Sequence, residues 1–173
     1  MPLRTDSFDL GGLRLSAGEG RRLELSVAIA PFELAGERYE VQPPLTPVRL
    51  DISRTTGEGY ALRLRFSATL SGPCMRCLAP AAPVFEADAR EVSQPGSDDE
   101  ELTSPYIVRG VLDLHAWARD ALALTLPATL LCRADCAGLC PLCGADLNAA
   151  GAEHSHERQA DPRWSKLSEL RFD

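Results

Sequence analysis

Lysine is nearly missing from this chain of 173 residues: the 18 basic residues are 17 Arg and one Lys, Lys166. The bland account of that bias is genome composition. No apolar run approaches the roughly 18–20 residues that a membrane helix needs. Met1–Asp9 has no apolar core of the kind that directs secretion, so export by that route is not indicated. A phosphate-binding glycine loop and a nucleophile elbow are both absent, so two common catalytic signatures drop out. A surplus of positive charge is missing too. The formal net charge is −7, which disfavours a protein whose main task is unspecific phosphate binding.

What is present is an ordinary globular composition, with 45% hydrophobic and 25% charged residues. The length suits one domain with a small appendage. Acids are unevenly spread. Residues 83–101 hold seven acids against one Arg, a local charge of −6, ending in Asp98-Asp99-Glu100-Glu101. Such a block reads as a solvated loop, and the remaining surface is close to neutral.

The first twenty residues read as loop. Leu23, Leu25, Val27 and Ile29 then alternate with polar neighbours, as do Val48, Leu50 and Ile52, and each run predicts a half-buried strand. Tyr60–Leu70 is the clearest strand, with Tyr60, Leu62, Leu64, Phe66, Ala68 and Leu70 on one face and Arg63, Arg65, Ser67 and Thr69 on the other. Pro83–Val92 resumes the pattern, so the connection carrying Cys74 and Cys77 joins two antiparallel strands. A short strand follows near Ile107–Leu112. Asp113 is a helix N-cap, and Leu114, Trp117, Ala118, Ala121 and Leu122 recur at helical spacing up to Thr125. Asp161-Pro162 opens a short terminal helix bearing Trp164, Leu167 and Leu170. The fold class expected is α+β: a mainly antiparallel sheet and one main helix over residues 1–131, then a Cys/His-rich segment, 132–173, packed on the hairpin.

That segment is too poor in apolar residues to build its own core. Its cysteines are spaced Cys132-x3-Cys136-x3-Cys140-x2-Cys143, and His154 and His156 follow. With Cys74-x2-Cys77 they make eight soft or borderline ligands, enough for two complete tetrahedral zinc sites. Disulfides or a redox pair compete with this reading, but a reducing compartment and strained small rings speak against them. Short loop closure groups Cys140, Cys143, His154 and His156 on one ion, and Cys132 and Cys136, nearest the sheet where the hairpin presents Cys74 and Cys77, join that pair on the other. A ribbon joining Cys74/Cys77 to Cys140/Cys143 is the rival grouping. Gly138 and Gly144 permit tight turns beside the ligands. Neither set would keep an open position, which favours architecture over catalysis.

Cys74-Met75-Arg76-Cys77-Leu78 after a long strand, Asp113-Leu114, Leu126-Pro127, the run from Cys132 to Asn148 and Asp161-Pro162-Arg163 together resemble the YceD family of large ribosomal RNA subunit accumulation proteins. His154-Ser155-His156 stands where many relatives carry C-x-C. The resemblance implies a non-enzymatic cytoplasmic factor for accumulation of large-subunit (23S) ribosomal RNA, acting on precursor ribosomal RNA, a ribosomal protein or an assembly factor. Candidate partner contacts are Arg76, Arg133, Arg158 and Arg163, whose planar forks suit phosphates and base edges. A zinc-ribbon interaction module in another process such as transcription is the alternative, and a thiol redox enzyme or a zinc hydrolase follows it. Asp146, Glu153 or Glu157 would have to serve the hydrolase as base, and nothing in their spacing singles them out. His115, on the main helix, reads as a packed or surface residue.

Overall fold

A computed structural model describes residues 4–97, 99, 102–151 and 153–156. Its scaffold is an antiparallel sheet organised around one long strand, β6 (Tyr60–Pro73), which follows β1 (Ser7–Asp9), β2 (Gly20–Val27), β3 (Phe32–Leu34), β4 (Glu37–Gln42) and β5 (Thr46–Arg54). Along one edge of β6 lie β5, backed by β2, and further up β4, backed by β3. The other edge pairs with β8 (Val84–Ser93), over Tyr60↔Ser93 to Thr69↔Val84, and with the two-residue β7 (Pro80–Ala81). The expected hairpin is therefore present, and the Cys74–Cys77 turn sits at its tip.

Strict alternation along β5 and β6 sends Val48, Leu50, Ile52, Leu62, Leu64, Phe66 and Leu70 to one buried face. The main helix, α1 (Leu114–Ala123), covers that face with Leu114, Trp117, Ala118, Ala121 and Leu122. Asp113 caps it by accepting the Ala116 N–H at 2.9 Å. On the opposite face Arg and carboxylate side chains pair across strands: Arg49 with Glu24, Arg63 with Asp88, and Arg22 and Arg65 both with Asp51.

The structure corrects the sequence reading in two places and fills in a third that it left unassigned. The first twenty residues are not all loop, because β1 pairs with β10 (Val111–Asp113) and a 3₁₀ turn, Gly11–Leu13, follows it. Leu10 is fully buried there, held by a strand about a hundred residues away that local periodicity does not reveal. Residues 32–42 form the β3–β4 hairpin, turned at Ala35-Gly36 with both residues at positive φ. The single short strand near Ile107 is itself a hairpin, β9 (Ile107–Val108) with β10, turned at Arg109-Gly110. The expected terminal helix over 161–170 lies outside the described residues. Among the described residues no helix is long and apolar enough to cross a membrane.

Candidate metal centres

The two C-x-x-C segments fold into the same turn. In the first, the Leu78 N–H donates to the Cys74 carbonyl (2.9 Å) and the Cys74 N–H to the Ala79 carbonyl (2.8 Å). In the second, Gly144 N–H donates to the Cys140 carbonyl (2.8 Å) and Cys140 N–H to the Ala145 carbonyl (2.8 Å). The residue four after the first cysteine takes a left-handed conformation in both, Leu78 at φ 61° and Gly144 at φ 72°. Glycine meets this need without strain; leucine does not. Such turns aim both sulfurs and the intervening amides at one point.

All six cysteines are free thiols. Cys74, Cys77, Cys132 and Cys136 converge so that their sulfurs lie within 4.8 Å of one another. Cys74 Sγ is 3.8 Å from Cys136 Sγ, and Cys77 Sγ is 3.6 Å from Cys132 Sγ. A tetrahedral ion with bonds of about 2.3 Å to sulfur requires edges of about 3.8 Å. The second group, Cys140, Cys143, His154 and His156, is equally tight. Cys140 Sγ to His156 Nε2 is 3.2 Å, Cys143 Sγ to His154 Nε2 is 3.5 Å, and the two Nε2 atoms are 3.0 Å apart. Mixed sulfur–imidazole edges of about 3.3–3.6 Å are needed there. Both groups could therefore hold a metal ion, in sets of four with the composition expected from the sequence. The rival ribbon, with Cys74/Cys77 facing Cys140/Cys143, is not the arrangement observed.

Electrostatics explain why each set calls for a cation. Burial pushes the Cys74 thiol up, but amides of Cys77, Arg76 and Cys132 donating to it outweigh burial and bring it down to about 6. The Cys143 and Leu142 amides, helped by His154, bring Cys140 down to about 6 as well. Each set thus contains a thiol biased toward its thiolate form. Burial and then the neighbouring sulfurs of Cys77, Cys136 and Cys74 push Cys132 up to about 12. Thiols this close cannot all ionise against one another; a bound divalent ion removes that conflict.

The first set is clamped to the core. Met75 packs against the main cluster, its N–H donates to the Leu130 carbonyl (2.8 Å), and the Leu130 N–H reaches Met75 Sδ (3.2 Å). Leu139 N–H donates to the Arg76 carbonyl (3.1 Å), and Gly138, at φ 81°, lies so near that a Cβ would meet that oxygen at 3.2 Å.

Sequence reasoning missed the role of Asn148. It lies in the short helix α2 (Leu147–Ala150), capped by Asp146. Its Oδ1 accepts from the Ala137 N–H (2.8 Å) and Arg133 Nη2 (2.9 Å), while its Nδ2 donates to Asp146 Oδ1 (2.8 Å) and reaches Cys136 Sγ at 3.7 Å. A residue placed just after the second C-x-x-C thus supports a ligand of the first set. The Asp146-Leu147-Asn148 cap signal marks the turn in the sequence, but the contact across to Cys136 is tertiary.

Of the candidate partner contacts, Arg76 is exposed but spends Nη1 on the Cys136 carbonyl (3.0 Å). Arg133 pairs with Asp135 (3.2 Å) besides binding Asn148. Both sit inside the framework of the first set. Arg158 and Arg163 lie outside the described residues. His115 Nδ1 contacts the Ala28 carbonyl, as a packed histidine does.

No solved structure matches this chain. Uncharacterised proteins of Mycobacterium bovis and Mycobacterium tuberculosis are each 37% identical to it over 121 residues, 67% of this chain and 58% of theirs. One from Mycobacterium leprae is 29% identical over 130 residues, 72% of this chain and 59% of its own. The chain thus spans less than two thirds of the length of these relatives. A family described as "Large ribosomal RNA subunit accumulation protein YceD" matches residues 62–171, a stretch that opens inside β6 and takes in all eight ligand residues. The long strand, the two cysteine turns with matching hydrogen bonds and that match agree: the chain belongs to the YceD family.

Proposed function

We propose that the protein is a non-enzymatic factor of the cytoplasm that supports accumulation of large-subunit ribosomal RNA, and that zinc fills both ligand sets as a structural ion. The family match over residues 62–171 is the observation that carries the first half. Thiolate and imidazole ligands at tetrahedral spacing support zinc, and four protein ligands per ion leave no position for a reacting water. In this reading residues 132–173 are a metal-held segment seated on a β-rich body of residues 1–131.

The partner is precursor ribosomal RNA, a ribosomal protein or an assembly factor. Two features favour a protein. Arg76 and Arg133 are engaged within the chain, and an ion held by four thiolates carries about −2, which repels phosphate. The tips of both cysteine turns instead present apolar side chains, Leu78 at 64% and Leu142 at 73% exposure. Depletion in cells should lower large-subunit ribosomal RNA relative to small-subunit RNA, and tagged protein should copurify with large-subunit precursors. Copurification with RNA polymerase instead would support the transcription reading and reject this one.

A further inference from the structure

Three residues join the two ligand sets. Cys136 belongs to the first set and Cys140 to the second, with residues 137–139 between them. A free linker containing glycine would let the two centres form independently of each other. This one is held from both flanks.

On one flank lies the first cysteine turn. The Leu139 N–H donates at 3.1 Å to the carbonyl of Arg76, which stands between Cys74 and Cys77. Gly138 is buried at φ 81° against the same residue, so close that a Cβ would meet the Arg76 carbonyl oxygen at 3.2 Å and Arg76 Cβ at 3.3 Å. On the other flank lies the loop between Cys143 and His154, which the second set closes. The Leu147 N–H donates to the Gly138 carbonyl at 2.9 Å and the Cys140 N–H to the Ala145 carbonyl at 2.8 Å. Leu139 and Asp146 thereby face each other as an antiparallel bridge.

We propose that the two sets are coupled through residues 137–139, so that filling either one raises the affinity of the other for zinc. The inference rests on the reading that zinc fills both sets, and it goes beyond it by giving them one loading equilibrium. Ordering a chain costs conformational entropy, and in a segment this poor in apolar residues coordination supplies most of what offsets it. Filling the first set fixes Cys136 and the turn around Arg76, one flank of the linker. Filling the second fixes residues 145–147, the other flank. Whichever set fills later finds the linker already ordered, which is positive cooperativity without a change of fold. Scarce zinc then gathers in fully loaded chains, and the exposed Leu78 and Leu142 of the two turns are set in place together.

Leu147 offers a clean way to cut the link. It is the first residue of α2, behind the Asp146 cap, where proline is tolerated because that N–H has no partner within the helix. Asp146 is already extended, at φ −69° and ψ 108°, as a residue before proline must be. Leu147→Pro therefore deletes the bond to Gly138 and keeps the helix. Leu147→Ala removes the same side chain and keeps the bond. Asn148, which braces Cys136 directly, is unchanged in both.

The test measures the zinc affinity of each set in the full chain by chelator competition, with the sets told apart by the amide signals of their cysteines. His154→Ala with His156→Ala should weaken the first set at least about tenfold, and Cys77→Ser with Cys132→Ser should weaken the second by the same factor, because coupling is reciprocal. Leu147→Ala should preserve both dependences. In Leu147→Pro each affinity should stay within about twofold whether the other set is intact or not. The β6 amides should remain protected from exchange throughout. Affinities indifferent to the other set, unequal reciprocal losses, or a dependence that survives Leu147→Pro would each overturn the proposal. So would loss of β6 protection in the histidine variant, since the coupling would then run through the body. The zinc reading falls separately, if the parent chain takes up fewer than two ions; two ions bound with independent affinities would remove the coupling alone.

Discussion

Leu78 and Gly144 occupy the same place in two copies of one turn, and only one of them is suited to it. Holding a leucine at φ 61° costs about 1 kcal/mol. Leu78→Gly should therefore raise the stability of the metal-loaded protein by up to about 1 kcal/mol, and Gly144→Leu should lower it by about 1–2 kcal/mol, read by denaturant unfolding. Equal and opposite failure of both would mean that the turns differ in ways their hydrogen bonds do not record. Asn148 supplies a sharper residue-level test. Its amide touches Cys136 Sγ and fixes Ala137 and Arg133, the kind of outer support whose loss weakens a metal site by about 10–100-fold. Asn148→Ala should reduce the affinity of the all-cysteine set by that factor in a chelator competition, and leave the Cys/His set within about twofold. Such a contact could not be read from the sequence, where Asn148 stands nearest to Cys143. The candidate ligands themselves could be read, because sulfur and imidazole at short spacings offer this chemistry; the Cys/His grouping followed from its short loop, and the four-cysteine grouping from the nearness of Cys132 and Cys136 to the sheet.

At the scale of elements, the strands with strict alternation were legible and those without it were not. Tyr60–Leu70 announces itself because every second side chain is apolar. β1 is too short for a period and its partner, β10, lies about a hundred residues along the chain, while residues 107–112 read as one short strand where two pair as a hairpin. The β3–β4 hairpin turns on Ala35-Gly36, a pair with a weaker turn signal than Asn-Gly. The helix was legible at its start, since Asp113 caps it: Asp113→Ala should cost about 1 kcal/mol, measured by thermal unfolding. The outer face of the sheet contributes a pH dependence. Arg22, together with Arg65, holds the Asp51 carboxyl below its usual value despite partial burial. A carboxylate with a depressed folded pKa stabilises fully above the unfolded value near 3.8 and loses that contribution as pH falls through the folded one. Asp51→Asn should therefore cost about 0.5–1 kcal/mol at pH 7, and the gap from the parent protein should close below about pH 4.

For the whole molecule, one claim ties the body to the ligand-bearing segment: two closed ligand sets hold the described residues between Cys132 and His156 in place. The hairpin presents Cys74 and Cys77, the core holds Met75 and Leu130, and the segment beyond is organised by bonds such as Leu147 N–H to the Gly138 carbonyl at 2.9 Å and, in the proposed reading, by coordination. Apparent binding energies of small zinc modules, roughly 10–16 kcal/mol, are ample for that task. Cys140→Ser should disorder the tail while leaving β6 protected from hydrogen exchange; uniform unfolding would instead make body and tail one cooperative unit. The most direct measurement is native mass spectrometry with elemental analysis on protein purified without added metal, before and after a chelator. The account predicts two zinc ions per chain, six reduced thiols, and loss of tail structure when both ions are removed. One ion or none, or sulfurs linked as disulfides in freshly isolated protein, would contradict it.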